Sequence, residues 1–133
     1  MPTQPCYCAA LRRATRRMTA LYDAALAPHG ITLAQFSLLR NIRRHGPISL
    51  TDLAAIMDLD RSTIGRNIRV LIKSGWVEAA ESPDQREASV TLSPKGQAIL
   101  TTAEPDWTAT QTLIETKLGP SGATALLQMI ANL

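Results

Sequence analysis

The sequence has no apolar run approaching the ~20 residues that a membrane-spanning helix needs, so none of its segments is a candidate span. The opening residues, MPTQPCYCAALRR, lack the charged-then-apolar order of a secretory signal, and a cytoplasmic protein is expected. Cysteine is nearly absent. Cys6 and Cys8 are too few and too close for a disulfide framework, which agrees with a reducing compartment. A Cys-x-Cys pair cannot complete a tetrahedral zinc site alone. His29 and His45 each sit at a helix end beside glycine, where histidine is ordinary, so no metal or other cofactor is expected. Missing too are a Ser/His/Asp set, a paired-acid cleft motif, a P-loop and a dinucleotide fingerprint; no catalytic residue is identified, and an enzyme is not expected. Lysine is scarce: of 14 basic residues 11 are arginine, which favours planar, multidentate contacts such as those made to phosphate.

The most informative shortage is local. In DRSTIGRNIRVLIKSGW, Asp60 to Trp76, one acid stands at the first position and none follows, while Arg61, Arg66, Arg69 and Lys73 recur. A turn of about 100° per residue gathers Ile64, Ile68, Leu71 and Ile72 on one side and Ser62, Arg66, Arg69 and Lys73 on the other. Asp60 is placed to cap the start, and Gly75 to close the end in the left-handed conformation. A merely solvated face interleaves acids at i,i+4 spacing; this one leaves a positive surface suited to an anionic partner.

A chain of 133 residues fits one domain. Leu11, Ala14, Met18, Leu21, Tyr22, Ala25 and Leu26 form a helical stripe from Cys8 to Leu26, stopped by Pro28, His29 and Gly30. Thr32 and Gln35 have capping-box spacing, with Ile31 and Phe36 placed for a hydrophobic staple, so a second helix starts at Leu33; Gly46 and Pro47 end it. Ser49 and Asp52 open a short third helix carrying Leu50, Leu53, Ala54 and Met57, and the turn DLD leads directly into the basic helix. After Gly75, two short strands joined by a turn containing Pro83 and Asp84 make a hairpin, in which Val90 and Leu92 alternate with polar neighbours. Ser93 and Pro94 supply an N-cap and N1 residue for a long helix kinked at Pro105, and a final stripe runs from Leu126 to Leu133.

Helix, helix, turn, basic helix and hairpin is the winged helix-turn-helix order. LTDLAAIMDLDRSTIGRNIRVLIKSGWV followed by DQREASVTLSPKG resembles the MarR family of bacterial transcription regulators, with Asp84, Arg86, Val90, Leu92 and Gly96 in the positions of its wing signature and Ser93 where threonine is commoner. The resemblance covers nearly the whole chain. It implies a mainly α fold with a small β-hairpin wing, as one domain over residues 1–133: a winged-helix DNA-binding lobe at about 32–93 and dimerisation helices at about 8–31 and 94–133. It also implies a homodimer on a pseudo-palindromic operator in double-stranded DNA, associated with the nucleoid when bound. Ser62, Thr63, Arg66 and Asn67 would read the major groove, Arg69 and Lys73 would touch phosphate, and Arg61 would do either. Arg86, oriented by Asp84, would enter the minor groove. A small aromatic or anionic effector would release a repressor from DNA, in a pocket for which Tyr22, Phe36, Arg40 and Trp107 are candidates. Trp107, Leu113, Ile114, Leu126, Ile130 and Leu133 are candidates for the dimer core. Two alternatives stay open: sensing of oxidants or soft metals by Cys6 and Cys8 beside the arginines at 12, 13, 16 and 17, and a winged helix that binds protein instead of DNA.

Overall fold

The computed structural model describes residues 3–81 and 87–133. Its order is α1 (Tyr7–Leu26), a 3-10 turn (Ala27–His29), α2 (Leu33–His45), β1 (Ile48–Ser49), α3 (Leu50–Met57), α4 (Arg61–Lys73), β2 (Val77–Ala80), β3 (Ser89–Leu92), α5 (Pro94–Leu118) and α6 (Gly122–Ala131). This is the mainly α winged-helix order expected from the sequence. The hairpin is larger than expected, because β1 joins it. The antiparallel sheet runs β1-β3-β2, with Ile48 opposite Val90 and Val77 opposite Leu92. With β3 in the middle, Ser89 is buried beside Val90, and the in–out alternation read from the sequence does not hold there.

Local signals explain most boundaries. Gly30 adopts φ 72°, the left-handed conformation that ends the first helical segment. Thr32 accepts from Gln35 N while Gln35 accepts from Thr32 N, a complete capping box, and Ile31 and Phe36 are both buried. The same helix start receives Asp23 of α1, whose Oδ1 accepts from Leu33 N at 2.7 Å, placing a carboxylate at the positive end of α2. Gly46 follows α2 in an extended conformation, not a left-handed one, and a Cβ there would lie 2.5 Å from the carbonyl oxygen of Ile42. Asp58 takes φ 52° and closes α3, making the turn into α4 tight.

Side chains of α2, α3, α4, the sheet and the first half of α5 form the core: Phe36, Leu39, Ile42, Leu53, Ile64, Ile68, Leu71, Val77 and Leu100 are essentially inaccessible. Ile72 was expected on this inner stripe but is 44% exposed, because it lies at the stripe's margin, beyond the strip covered by α3 and β2. Only Leu26 of α1 is buried, and nothing in α6 is.

The joint between the winged lobe and α5 is crowded. Ser93 Oγ accepts from Gly96 N and donates to the carbonyl of Gly75, and Ser93 N donates to the carbonyl of Trp76. A Cβ on Gly96 would lie 2.0 Å from that same Trp76 oxygen, a separation that no repacking of side chains relieves. Gly96→Ala should therefore cost about 1–3 kcal/mol or more in chemical denaturation. Gln97→Ala, one position along and exposed, should stay within about 0.5 kcal/mol. Equal stability of the two variants would show that the backbone contact at Gly96 is not tight.

Candidate nucleic-acid interface

Helix α4 is held by its apolar side. Ile64, Gly65, Ile68 and Leu71 are buried, Thr63 and Asn67 half-buried, and Arg61, Ser62, Arg66, Arg69, Val70 and Lys73 exposed. The expected reading set thus shares one surface, with Asn67 at its edge beside the core. The helix start differs from expectation: Asp60 occupies the N-cap with extended geometry, but its side chain makes no capping hydrogen bond. The end is as expected, with Gly75 at φ 79° and its N–H on the carbonyl of Ile72. Lys95 of α5 adds a cation there, donating to the carbonyl of Ser74 at 3.3 Å. No local pattern announces that contact.

The charge on this surface is uncompensated. Among the described residues two ion pairs form, His29–Asp106 and Arg43–Glu104, and neither involves α4. Arg66 makes one long contact, 3.4 Å, to Thr63 Oγ1 on its own helix. Arg61, Arg66, Arg69 and Lys73 therefore present guanidinium and ammonium donors to solvent along the whole of α4, about three turns of helix, which suits phosphate and base-edge acceptors. Asp84 and Arg86 lie outside the described residues.

Tyr22, Phe36, Arg40 and Trp107 do converge, but as a filled stack. The Trp107 ring lies 5.8 Å from Phe36 and 6.4 Å from Tyr22 in stacked orientation, and the Arg40 guanidinium rests 4.1 Å from its centroid. Tyr22 Oη donates to Gln111 Oε1. Burial raises the Tyr22 pKa, the negative Glu115 adds to the rise and Arg40 opposes it. Two cavities flank the stack. One, of about 180 Å³, lies between α1, α5 and α6 and is mostly apolar, with Tyr22, Gln111 and Glu115 as its polar wall. The other, of about 400 Å³, is bordered by Arg40, Asn41, Arg43 and Arg44 of α2.

Three ties from outside α5 meet it around Pro105. Arg43 of α2 pairs with Glu104 at 2.9 Å, His29 Nε2 meets Asp106 Oδ2 at 2.6 Å, and Arg40 lies over Trp107. Helix α5 continues through Pro105 as one element. His29, read from sequence as punctuation at a helix end, is also a partner of α5. The two residues are 77 positions apart, so no local signal links them. Cys6 and Cys8 are both free and exposed; Cys6 is the N-cap of α1, without a side-chain capping bond.

The family model described as MarR family matches residues 29–86, from the end of the first helical segment to the wing. The multiple antibiotic resistance protein MarR of Salmonella typhimurium is 36% identical over 80 residues, 59% of this chain and 56% of its own length, so the matching stretch spans little more than half of that relative. Solved structures extend the likeness to the terminal helices. The transcriptional regulator MosR of M. tuberculosis, in complex with DNA, is 34% identical with a TM-score of 0.86, over 96% of this chain and 92% of its own. BpsR of Bordetella bronchiseptica, described with regulation of its DNA binding by 6-hydroxynicotinic acid, is 25% identical with a TM-score of 0.88, over 99% and 96% of the two chains. The winged lobe matches in sequence and the whole architecture matches in shape, and the chain belongs to the MarR family.

Proposed function

We propose that this protein is a sequence-specific DNA-binding transcription regulator, a repressor that binds an imperfect palindrome as a two-fold dimer in the cytoplasm and leaves it when a small aromatic or anionic ligand binds. The observation that carries the reading is the α4 surface, whose four cations have no acid partner among the described residues. Arg66 and Asn67 are the base readers, since an arginine takes two acceptors of guanine and an asparagine two of adenine. Ser62 and Thr63 flank them. Arg69 and Lys73, further along, hold phosphate, and Arg61 reaches either. Arg86, steadied by Asp84, supplies the minor-groove contact. MosR crystallised with DNA, and the regulation of BpsR by a small aromatic acid, support the reading by likeness.

The dimer is supported by apolar surface that one chain leaves uncovered. Tyr7 and Leu11 of α1, Leu113 of α5, and Leu127, Met129 and Ile130 of α6 are all more than 40% exposed, and Leu133 beyond α6 is 93% exposed. Tyr7, Leu11 and Leu133 border one open cavity together, an apolar patch of the kind that marks an interaction surface. Trp107 and Ile114, by contrast, serve the chain's own packing: Trp107 is half-buried in the stack and Ile114 is 9% exposed. A second copy covering the remainder would set the two α4 helices about one turn of DNA apart.

A second reading rests on the exposure of both thiols at an uncapped helix start. A hydroperoxide would oxidise one thiol to a sulfenic acid with loss of an alcohol or water, and the other would displace water to give a disulfide. A soft metal ion would compete for the same sulfurs. A third use of the fold, binding protein, leaves the α4 cations without a role.

Three measurements test these readings. DNA affinity should fall steeply with salt, with Lys73→Ala shallower by about one in the log–log slope and weaker on every sequence alike, while Arg66→Ala costs about 1–3 kcal/mol on the preferred site and blurs its discrimination. Salt-independent binding would favour a protein partner, and uniform loss in both variants would remove Arg66 from the readers. Leu127→Asp with Ile130→Asp changes residues exposed in the single chain, so it should leave the fold intact by circular dichroism, convert a dimer to monomers in sedimentation and abolish palindrome binding. A variant that still sediments as a dimer would move the interface elsewhere. Under ligand-controlled release, peroxide should leave the DNA affinity of wild type and of Cys6→Ser, Cys8→Ser equally unchanged; release from wild type alone would make thiol oxidation the trigger.

A further inference from the structure

The first 22 residues contain no acid, and Arg12, Arg13, Arg16 and Arg17 fall within six positions of one another there. All four lie on α1, and all are exposed. Among the described residues none of them has an ion-pair partner, whereas Arg43 and His29 each meet a carboxylate of α5. At about 100° per residue they spread over the side of α1 opposite Met18, Leu21 and Tyr22, which are half-buried where α1 packs on α5 and α2. The rest of that side carries exposed alanines, Ala9, Ala20 and Ala24, so nothing bulky stands between the guanidinium groups and an approaching surface. Asp23, the first acid of the chain, lies nearly two turns further on and is held by Leu33 N. Arginines three and four apart on a helix repel, as Arg12–Arg16, Arg13–Arg16 and Arg13–Arg17 do here, and a polyanion relieves that repulsion.

We propose that this face of α1 is a second DNA site, which holds the phosphate backbone of a duplex segment other than the operator on α4, so that one dimer bridges two stretches of DNA. The site needs only the α1 arginines; the bridge rests on the α4 reading. A guanidinium takes two phosphate oxygens at once, and α1 sets four of them within about 7.5 Å along its axis. Closely set arginines on one face match a backbone that offers charge at every step whatever the sequence. A lipid surface fits less well. A helix settles among headgroups on its apolar side, and that side of α1 is turned to α5 and α2.

The two cationic helices belong to different parts of the chain. Helix α4 is held by α3 and β2, and α1 by α5 and α2, with the start of α1 beside the last residue, Leu133. Arg12 and Arg16 border the hollow there with Tyr7 and Leu11, at the rim of the surface left for a second copy; Arg13 and Arg17 do not line it. A protein anchored on one duplex through α4 carries the α1 face at high effective concentration toward neighbouring segments.

The experiment uses the full chain, a duplex of its preferred palindrome with a donor dye, and a duplex of unrelated sequence with an acceptor dye. With one dimer per palindrome, the second duplex should give energy transfer at low salt that added salt abolishes. Arg13→Gln with Arg17→Gln should cut that transfer by about tenfold or more and lower the salt slope for the second duplex by about two, with palindrome affinity kept within about twofold. Without a palindrome, a chain carrying Arg66→Ala, Arg69→Ala and Lys73→Ala should still hold the unrelated duplex at low salt, and adding the two α1 changes should remove that binding. No transfer from a bound palindrome overturns the bridge. Residual binding that is absent, or that the α1 changes leave intact, overturns the site, whether or not a palindrome is preferred. A matching fall in palindrome affinity assigns the arginines to the operator, and a change from dimer to monomer in sedimentation assigns them to the copy interface; either overturns the second site. Phosphatidylglycerol vesicles that outcompete the duplex for wild type, and lose binding in the α1 variant, assign the face to lipid and overturn it as well.

Discussion

The contact between the backbone of Gly96 and the carbonyl of Trp76 is the constraint on which the arrangement turns. It brings the start of α5 against the end of α4 and the first residue before β2, and Ser93 locks the three by accepting from one backbone and donating to another. Lys95 donates to the carbonyl of Ser74, the C-cap of α4, from the same turn. The cationic helix, the sheet and the first half of α5 therefore behave as one piece. Beyond that piece α5 runs on through Pro105, whose missing N–H leaves the carbonyl of Thr101 without its helical donor.

Much of this was legible in the sequence because it is local. The Thr32–Gln35 capping box, Ser93 ahead of Pro94, the glycines at 30 and 75 and the periodic stripe of α4 all depend on residues within four positions of one another, where stereochemistry decides. The places where sequence reasoning fell short depend on distant partners. A two-residue strand such as Ile48–Ser49 has no periodicity to detect and exists only because β3 lies beside it. Asp60 has the right residue type at the right position, yet its side chain does not close the cap. Ile72 falls on the apolar stripe, but the covering elements are narrower than the stripe. His29 reads as punctuation at a helix end, and nothing local marks Arg43, until the fold sets them against Asp106 and Glu104, 77 and 61 positions away; Arg40 and Trp107, by contrast, are grouped from the sequence and do meet.

Charge divides the molecule into parts with different work. The arginines of α4 are left without acids among the described residues, whereas Arg43 and His29 are matched with carboxylates, each at an α5 junction. An exposed pair such as Arg43–Glu104 contributes about 0–1 kcal/mol, too little to hold a fold and small enough to be exchanged for another partner. The Trp107 stack is the more durable of the ties, because Phe36 beneath it belongs to the core.

The short strand β1 has a geometric effect out of proportion to its length. By pairing Ile48 with Val90, and through the donation of Leu50 N to the carbonyl of Ala88 at 3.0 Å, it fastens the start of α3 to the returning strand of the wing. The other edge of that strand is fastened to β2, which follows directly from α4. The spacing between the helix and the strands that carry the wing is thus set like the jaws of a fixed gauge, closed from both sides. On a duplex gripped by such a gauge, the protein cannot adjust the distance from one groove to the next. The double helix must supply the fit, so base steps that no side chain touches would enter selectivity through how readily they twist and narrow.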